Sequence, residues 1–224
     1  MVSLYNQMDK VMLNLMIDSS SVAFYSTANS INSMWTFVIA AVIDSVSPVI
    51  YTAYNESRAV FKNSLKILYQ FIIWLCLMAG VVICLSSKII INLLYGASYM
   101  EAVPVLRVLV WSVMFSYLGV AKNIWVVSEN KNKYLVAFTG MGIIGNLILN
   151  FILIPQYGAV GAAVATVVTQ FISSVAAQLC FKETRESCIW MFEAFIFKDT
   201  LSLNEIKEFI RGTLHNRDNK EKRR

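Results

Sequence analysis

The chain has 224 residues, 57% of them hydrophobic and 15% charged, with a formal net charge of +5; ordinary globular domains carry roughly 45–50% and about 25%. Ten of the nineteen Lys/Arg and eight of the fourteen Asp/Glu lie from Lys182 onward, which leaves too few for residues 1–181 to form a water-soluble body. Basic residues gathered at one membrane face also point to anionic lipid headgroups as the partner, and away from nucleic acid.

A spanning helix needs about 20 mostly apolar residues, because the hydrocarbon core is about 30 Å thick. The first candidate, 1–17, is short and carries Asp9 and Lys10 at its centre, so Met1 reads as a start partway into a span. No secretory signal peptide is expected there, since the charged-then-apolar order is absent. The second candidate, 22–48, holds Asn29 and Asn32 in its first half and Asp44 near its end. Pro48 is expected to end or bend it, through the missing N–H and the ring clash. Runs 67–86, 103–127, 134–154 and 159–181 qualify cleanly. Residues 1–181 are thus expected to be an all-α membrane domain of about six transmembrane helices.

Residues 182–224 read as a cytoplasmic or interfacial tail. Ile189–Phe197 is apolar but too short to cross, and so is expected to lie along the interface. Ser202 and Glu205 have capping-box spacing, and Leu203, Ile206, Ile210 and Leu214 follow as one helical stripe. Asn216 to Arg224 is nearly all polar and is expected to be disordered.

Orientation follows from the short loops. Arg58, Lys62 and Lys66, then Lys131 and Lys133, alternate with connections at 18–21, 96–102 and 155–158 that contain no Lys or Arg. The basic loops and the C-terminus are expected in the cytoplasm.

Cys76, Cys84, Cys180 and Cys188 show no CxxC or Cys/His metal spacing and read as apolar filler. No phosphate loop, nucleophile elbow or HExxH motif appears, and the only histidine is His215 in the tail. The chain is therefore expected to be no enzyme, with no catalytic residue, metal site or cofactor.

The sparse in-span polar residues are the candidates for a substrate pathway: Asp9, Lys10, Asn29, Asn32, Arg107, Lys122 and Asn123. Ionisable groups at membrane depth are costly and usually face a cavity or a partner. Asp9 and Asp44 are candidates for ion coupling. Arg107 and Lys122 each have a cheaper reading, in which the side chain snorkels to the interface, while arginine also suits a pyrophosphate. The rows Gly142/Asn146/Asn150 and Gly161/Ala165/Thr169 read mainly as surfaces for close helix packing. Trp125 is placed as an interface anchor.

Several segments together carry a resemblance. Residues 8–14, MDKVMLN, resemble a segment of the seventh helix of bacterial polysaccharide flippases, and 22–28, VAFYSTA, look like another segment of that family. Residues 93–106, LLYGASYMEAVPVL, are similar to the stretch after the ninth helix. The most specific match is 146–166, NLILNFILIPQYGAVGAAVAT, across the eleventh and twelfth. Over about residues 4–181 the chain resembles the O-antigen (Wzx-type) flippases of the multidrug/oligosaccharidyl-lipid/polysaccharide exporter superfamily. Asn14 and Ala23 stand where that family usually has glycine.

The resemblance implies the C-terminal lobe of a twelve-helix, two-lobe transporter. Its substrate would be an undecaprenyl-diphosphate-linked oligosaccharide, moved from the cytoplasmic to the periplasmic leaflet by alternating access in lipopolysaccharide or other polysaccharide biosynthesis. The implied partners are membrane lipid, a missing N-terminal six-helix lobe and other polysaccharide assembly proteins. A drug/cation antiporter of the same superfamily and a nonfunctional flippase fragment are the alternatives. A membrane glycosyltransferase or polymerase would need larger polar loops than these.

Overall fold

The computed structural model describes residues 2–196. Among them the chain is all α, with no strand. In chain order the helices are α1 (Val2–Met16), α2 (Ser19–Met34), α3 (Thr36–Glu56), α4 (Arg58–Tyr95), α5 (Ala102–Leu109), α6 (Ser112–Ser128), α7 (Lys133–Ser174) and α8 (Arg185–Phe195). Four stretches are long and apolar enough to cross a membrane: Thr36–Glu56, Arg58–Tyr95, Ala102–Ser128 and Lys133–Cys180. Large apolar side chains such as Leu85, Leu93, Ile144 and Phe151 stand exposed around the bundle, as a lipid-facing surface requires. This is a multi-pass, all-α membrane protein.

Short polar residues set the helix ends. Asp18 caps α2 by accepting a hydrogen bond from the Ser21 N–H at 2.7 Å, and that N–H holds the Asp18 carboxyl below the ordinary carboxylate value. Ser57 caps α4 in the same way, its Oγ accepting from the Val60 N–H at 3.2 Å. Gly96 ends α4 at φ 83°, a conformation open to glycine without strain.

Pro48 does not end its helix. It lies inside α3, and the Asp44 whose carbonyl loses its usual partner is exposed. The break falls instead at Trp35, where α2 gives way to α3 and the Thr36 Oγ1 donates to the Ser33 carbonyl at 2.8 Å.

Helix α7 is two arms. Unbroken, it would hold Asn150 and Thr166 about 24 Å apart at 1.5 Å per residue; both side chains instead hydrogen-bond the same carboxylate, that of Asp9. The backbone leaves helical geometry at Gly158 (φ 55°, ψ −132°), just past Pro155, and the second arm folds back along the first. A Cβ on Gly145 would meet the Thr169 methyl of the returning arm at 3.6 Å. The apolar runs 134–154 and 159–181 fall on these two arms.

Two apolar clusters fill the bundle. One, towards the end bearing Gly96 and Gly158, joins Leu13, Tyr25, Ile91, Leu106 and Ala163. The other, towards the end rich in Lys and Arg, joins Ile50, Phe61, Tyr69, Trp125 and Phe138. Trp125 is fully buried in it, with the Lys131 ammonium 4.4 Å from its ring centroid, so its ring faces protein and not lipid.

Helix α8 is packed on the bundle through Cys188, Trp190, Met191 and Ala194, while Ile189, Phe192 and Phe195 stand exposed on its other face. The expected stripe from Leu203 to Leu214 and the expected disorder beyond Asn216 lie outside the described residues.

Candidate functional site

The polar centre of the bundle is Asp9. Its side chain is fully buried, and four neutral donors converge on it. Oδ1 accepts from Asn150 Nδ2 at 2.6 Å and Asn146 Nδ2 at 3.2 Å. Oδ2 accepts from the Tyr25 hydroxyl at 2.6 Å and lies 2.7 Å from Thr166 Oγ1. Asn150 Nδ2 also donates to Asn146 Oδ1 at 3.1 Å. The site therefore joins α1, α2 and both arms of α7. At 1.5 Å per residue Asp9 lies about 13 Å from the α1–α2 turn, and Asn150 and Thr166 each lie about 12 Å from Gly158.

Two features of this cage bear on chemistry. Among the described residues, no lysine or arginine nitrogen lies within ion-pair distance of Asp9; its donors are all neutral. Thr166 Oγ1 is also 3.0 Å from the Ala162 carbonyl and 3.1 Å from the Tyr25 hydroxyl. A hydroxyl has a single proton. Directed to Asp9, it serves a carboxylate; directed to Ala162, it leaves Oγ1 free to accept a proton carried by Asp9. The cage thus fits the charged and the neutral carboxyl without moving a heavy atom. Asn150 Oδ1 is buried with no partner, an oxygen ligand left over beside the carboxylate.

The other sequence candidates are not brought into this cage. Lys10 is half-buried on α1 and makes no ion pair with Asp9, because successive helical side chains diverge by about 100°. Asn32 is buried and donates from Nδ2 to the Leu109 carbonyl at 3.2 Å, tying α2 to the end of α5, while Asn29 is half-buried. Arg107 is exposed, its Nε donating to the buried Ser87 Oγ at 2.9 Å. Asp44 and Asn123 are exposed.

Lys122 does not snorkel. Its side chain is 3% exposed, its Nζ donates to the Ser173 carbonyl at 3.1 Å, and it lies 4.3 Å from the Phe138 ring centroid. Sequence reasoning missed Tyr25 and Thr166 as partners of Asp9, and it assigned Asn146 and Asn150 to packing. The available signal was two asparagines one turn apart in a helix otherwise apolar enough to span. Among the described residues no three His, Cys, Asp or Glu side chains converge as a metal site would require.

Residues 1–104, which include Asp9 and Tyr25, match the model of the polysaccharide biosynthesis protein family. A probable low-salt glycan biosynthesis flippase of Haloferax volcanii is 26% identical over 176 residues, covering 76% of this chain and 36% of that protein. By these matches the chain is similar to polysaccharide biosynthesis proteins, among them a probable flippase. A capsular polysaccharide biosynthesis protein of Staphylococcus aureus is 23% identical over 133 residues, covering 56% of this chain and 34% of that protein. An uncharacterized membrane protein of Methanocaldococcus jannaschii is 29% identical over 161 residues, covering 71% of this chain and 31% of that protein. The chain spans about a third of the length of the relatives it matches. No solved structure matches it.

Proposed function

We propose that this chain is the C-terminal six-helix lobe of a transporter that moves undecaprenyl-diphosphate-linked oligosaccharides from the cytoplasmic to the periplasmic leaflet of the inner membrane. The observation that carries the proposal is the Asp9 cage, a buried carboxylate that no lysine or arginine among the described residues neutralises. Such a group is costly unless it serves a proton or an ion. The glycan-biosynthesis relatives supply the substrate class. Moving a diphosphate-sugar head while its prenyl tail stays in lipid needs a polar cleft and alternating access, not covalent catalysis.

In this reading Asp9 carries the coupling ion. Two hydroxyls and two amide N–H donors, with Thr166 Oγ1 able either to donate or to accept, suit a proton best. Arg107 is the exposed cation available to an anionic head, Lys122 would meet one only once uncovered, and Lys10, Asn29 and Asn123 contribute polar lining, with the buried Asn32 behind them. Asp44 is a second, exposed candidate for coupling. The basic loops and the C-terminus lie in the cytoplasm. A partner lobe completes the cleft, since half a cleft would open its polar face to lipid.

The test is export of lipid-linked oligosaccharide in a flippase-null strain. Residues 1–224 joined to a six-helix partner lobe are expected to restore export, and residues 1–224 alone are not. Asp9→Asn in the joined protein is expected to abolish dependence on the driving ion, with imposed pH and sodium gradients as separate arms. Export that responds to the gradients equally with and without the Asp9 carboxyl would remove the coupling role. Gradient-driven efflux of an organic cation, with no oligosaccharide export, would favour the antiporter reading.

A further inference from the structure

The end of the bundle rich in Lys and Arg is crossed by α8, and charge fastens it there. Arg58, at the start of α4, donates from Nη1 to Glu129 at 3.2 Å and from Nη2 and Nε to Glu186 of α8. Glu193, two turns further along α8, takes Lys62 Nζ at 2.9 Å and Lys66 Nζ at 3.4 Å. Between these two ties, Trp190 lies under Arg58 and Lys62, each cation 5.8 Å from its ring centroid, with Phe61 edge-on at 6.0 Å. The ties reach three elements: α4, the turn after α6, and α8.

Beneath α8, polar groups are enclosed within the apolar layer that Cys188, Trp190, Met191 and Ala194 help to form. Cys188, on the covered face, is fully buried, as is Gln178, whose Oε1 has no partner. Lys122 is enclosed in the same core cluster, with one of its three protons placed on the Ser173 carbonyl. An ammonium compensated by one carbonyl and the Phe138 ring face, with no carboxylate among the described residues, is costly to keep enclosed. Most of the fastening ions stand partly in solvent, the Arg58 side chain at 57% and Lys62 at 34%, while Lys66 is buried. Exposed pairs hold weakly and are screened by salt. A helix held this way, over a layer that gains by hydration, opens as a local unit before the rest of the bundle.

We propose that α8 is a charge-held clasp, opening as one piece to uncover the polar layer around Lys122 while the helices beneath stay folded. The native cysteines supply the probe, since Cys188 lies under the clasp and Cys76 lies deep in the bundle. The chain is purified in detergent with Cys84→Ser and Cys180→Ser, labelled with a hydrophilic maleimide, and each site is read by peptide mass.

Raising salt from about 0.1 M to about 1 M, over which the Debye length falls from about 10 to about 3 Å, is expected to speed Cys188 labelling while Cys76 stays protected. Glu186→Gln with Glu193→Gln is expected to speed it roughly tenfold at low salt and to remove most of the salt effect. Glu193→Lys alone is expected to open the clasp, and adding Lys62→Glu to close it again. Cys188 labelling that ignores both salt and the glutamate variants would overturn the proposal. So would Cys188 and Cys76 rising together, which is opening of the whole bundle, or a charge swap that fails to restore protection. None of these readouts depends on transport.

Discussion

Gly161, early in the second arm of α7, lies so close to Leu153 in the first that a Cβ on it would stand 2.3 Å from the Leu153 carbonyl oxygen and 2.7 Å from its carbon. The neighbour is backbone, so it cannot swing aside as a side chain would. The fold-back of α7 is therefore written at two glycines, one for conformation at 158 and one for approach at 161.

Gly161→Ala is expected to destabilise the protein by about 1–3 kcal/mol, as overpacking does. Gly140, whose Cβ would meet nothing within 4 Å, serves as the contrast: Gly140→Ala should be neutral or slightly stabilising. Thermal unfolding in detergent, followed by size-exclusion fluorescence, separates the two.

Asp9→Leu and Asp9→Asn should part company. Leucine leaves Tyr25, Asn146 and Asn150 without their acceptor, at about 1–3 kcal/mol for each buried group left unpaired. That variant is expected to fail to accumulate in the membrane. Asparagine keeps the shape and one acceptor oxygen, so it should accumulate, melt several degrees lower and still elute as a single species. Equal accumulation of both would mean that the cage does not hold α1 to α7.

Lys122→Met is expected to move stability and export in opposite directions. An enclosed ammonium without a carboxylate gains from replacement by an apolar side chain of similar length, so the melting temperature should rise. Export by the lobe joined to its partner should fall if the ammonium meets the diphosphate head. A Lys122→Met protein that melts earlier would show that the Ser173 and Phe138 contacts outweigh desolvation.

The clasp also has a pH signature. The Lys62 ammonium, with Lys66 beside it, holds the Glu193 carboxyl below the ordinary value of 4.5. A depressed carboxyl contributes stability above its unfolded-state value, and that contribution disappears as pH falls through the folded-state value. The melting-temperature gap between the unmutated chain and Glu193→Gln should therefore be constant near neutrality and close in acid, below that ordinary value. A gap that persists into acid would mean that the pairs contribute nothing through charge.

Topology can be checked directly. Reporter fusions at Asn63 and Asn132 are expected on the cytoplasmic side and those at Ser20 and Ser98 on the periplasmic side. An outside signal from Asn132 reverses the orientation and places α8 in the periplasm.

Apolar run length made the long helices legible, and Pro155 with Gly158 made the turn within α7 legible too. The break at Trp35 was not, because no glycine or proline marks it, whereas Pro48 suggested one that the helix does not take. Asp9 was identifiable as a costly residue, but its partners lie on helices distant in sequence, and helical periodicity says nothing about which faces meet. Lys122 was misjudged because snorkelling is an argument about length alone. It overlooks a carbonyl and an aromatic ring brought within reach by tertiary packing.

Helix α4 runs unbroken for 38 residues, about 57 Å at 1.5 Å per residue, against a hydrocarbon core of about 30 Å. One end carries Arg58 and the clasp; near the other, Ser87 receives Arg107. A stiff rod of that length pivoting by about 5° near one end sweeps its far end through about 5 Å, nearly one helical turn. A tilt of α4 would therefore be felt at both faces of the bundle, with no refolding between.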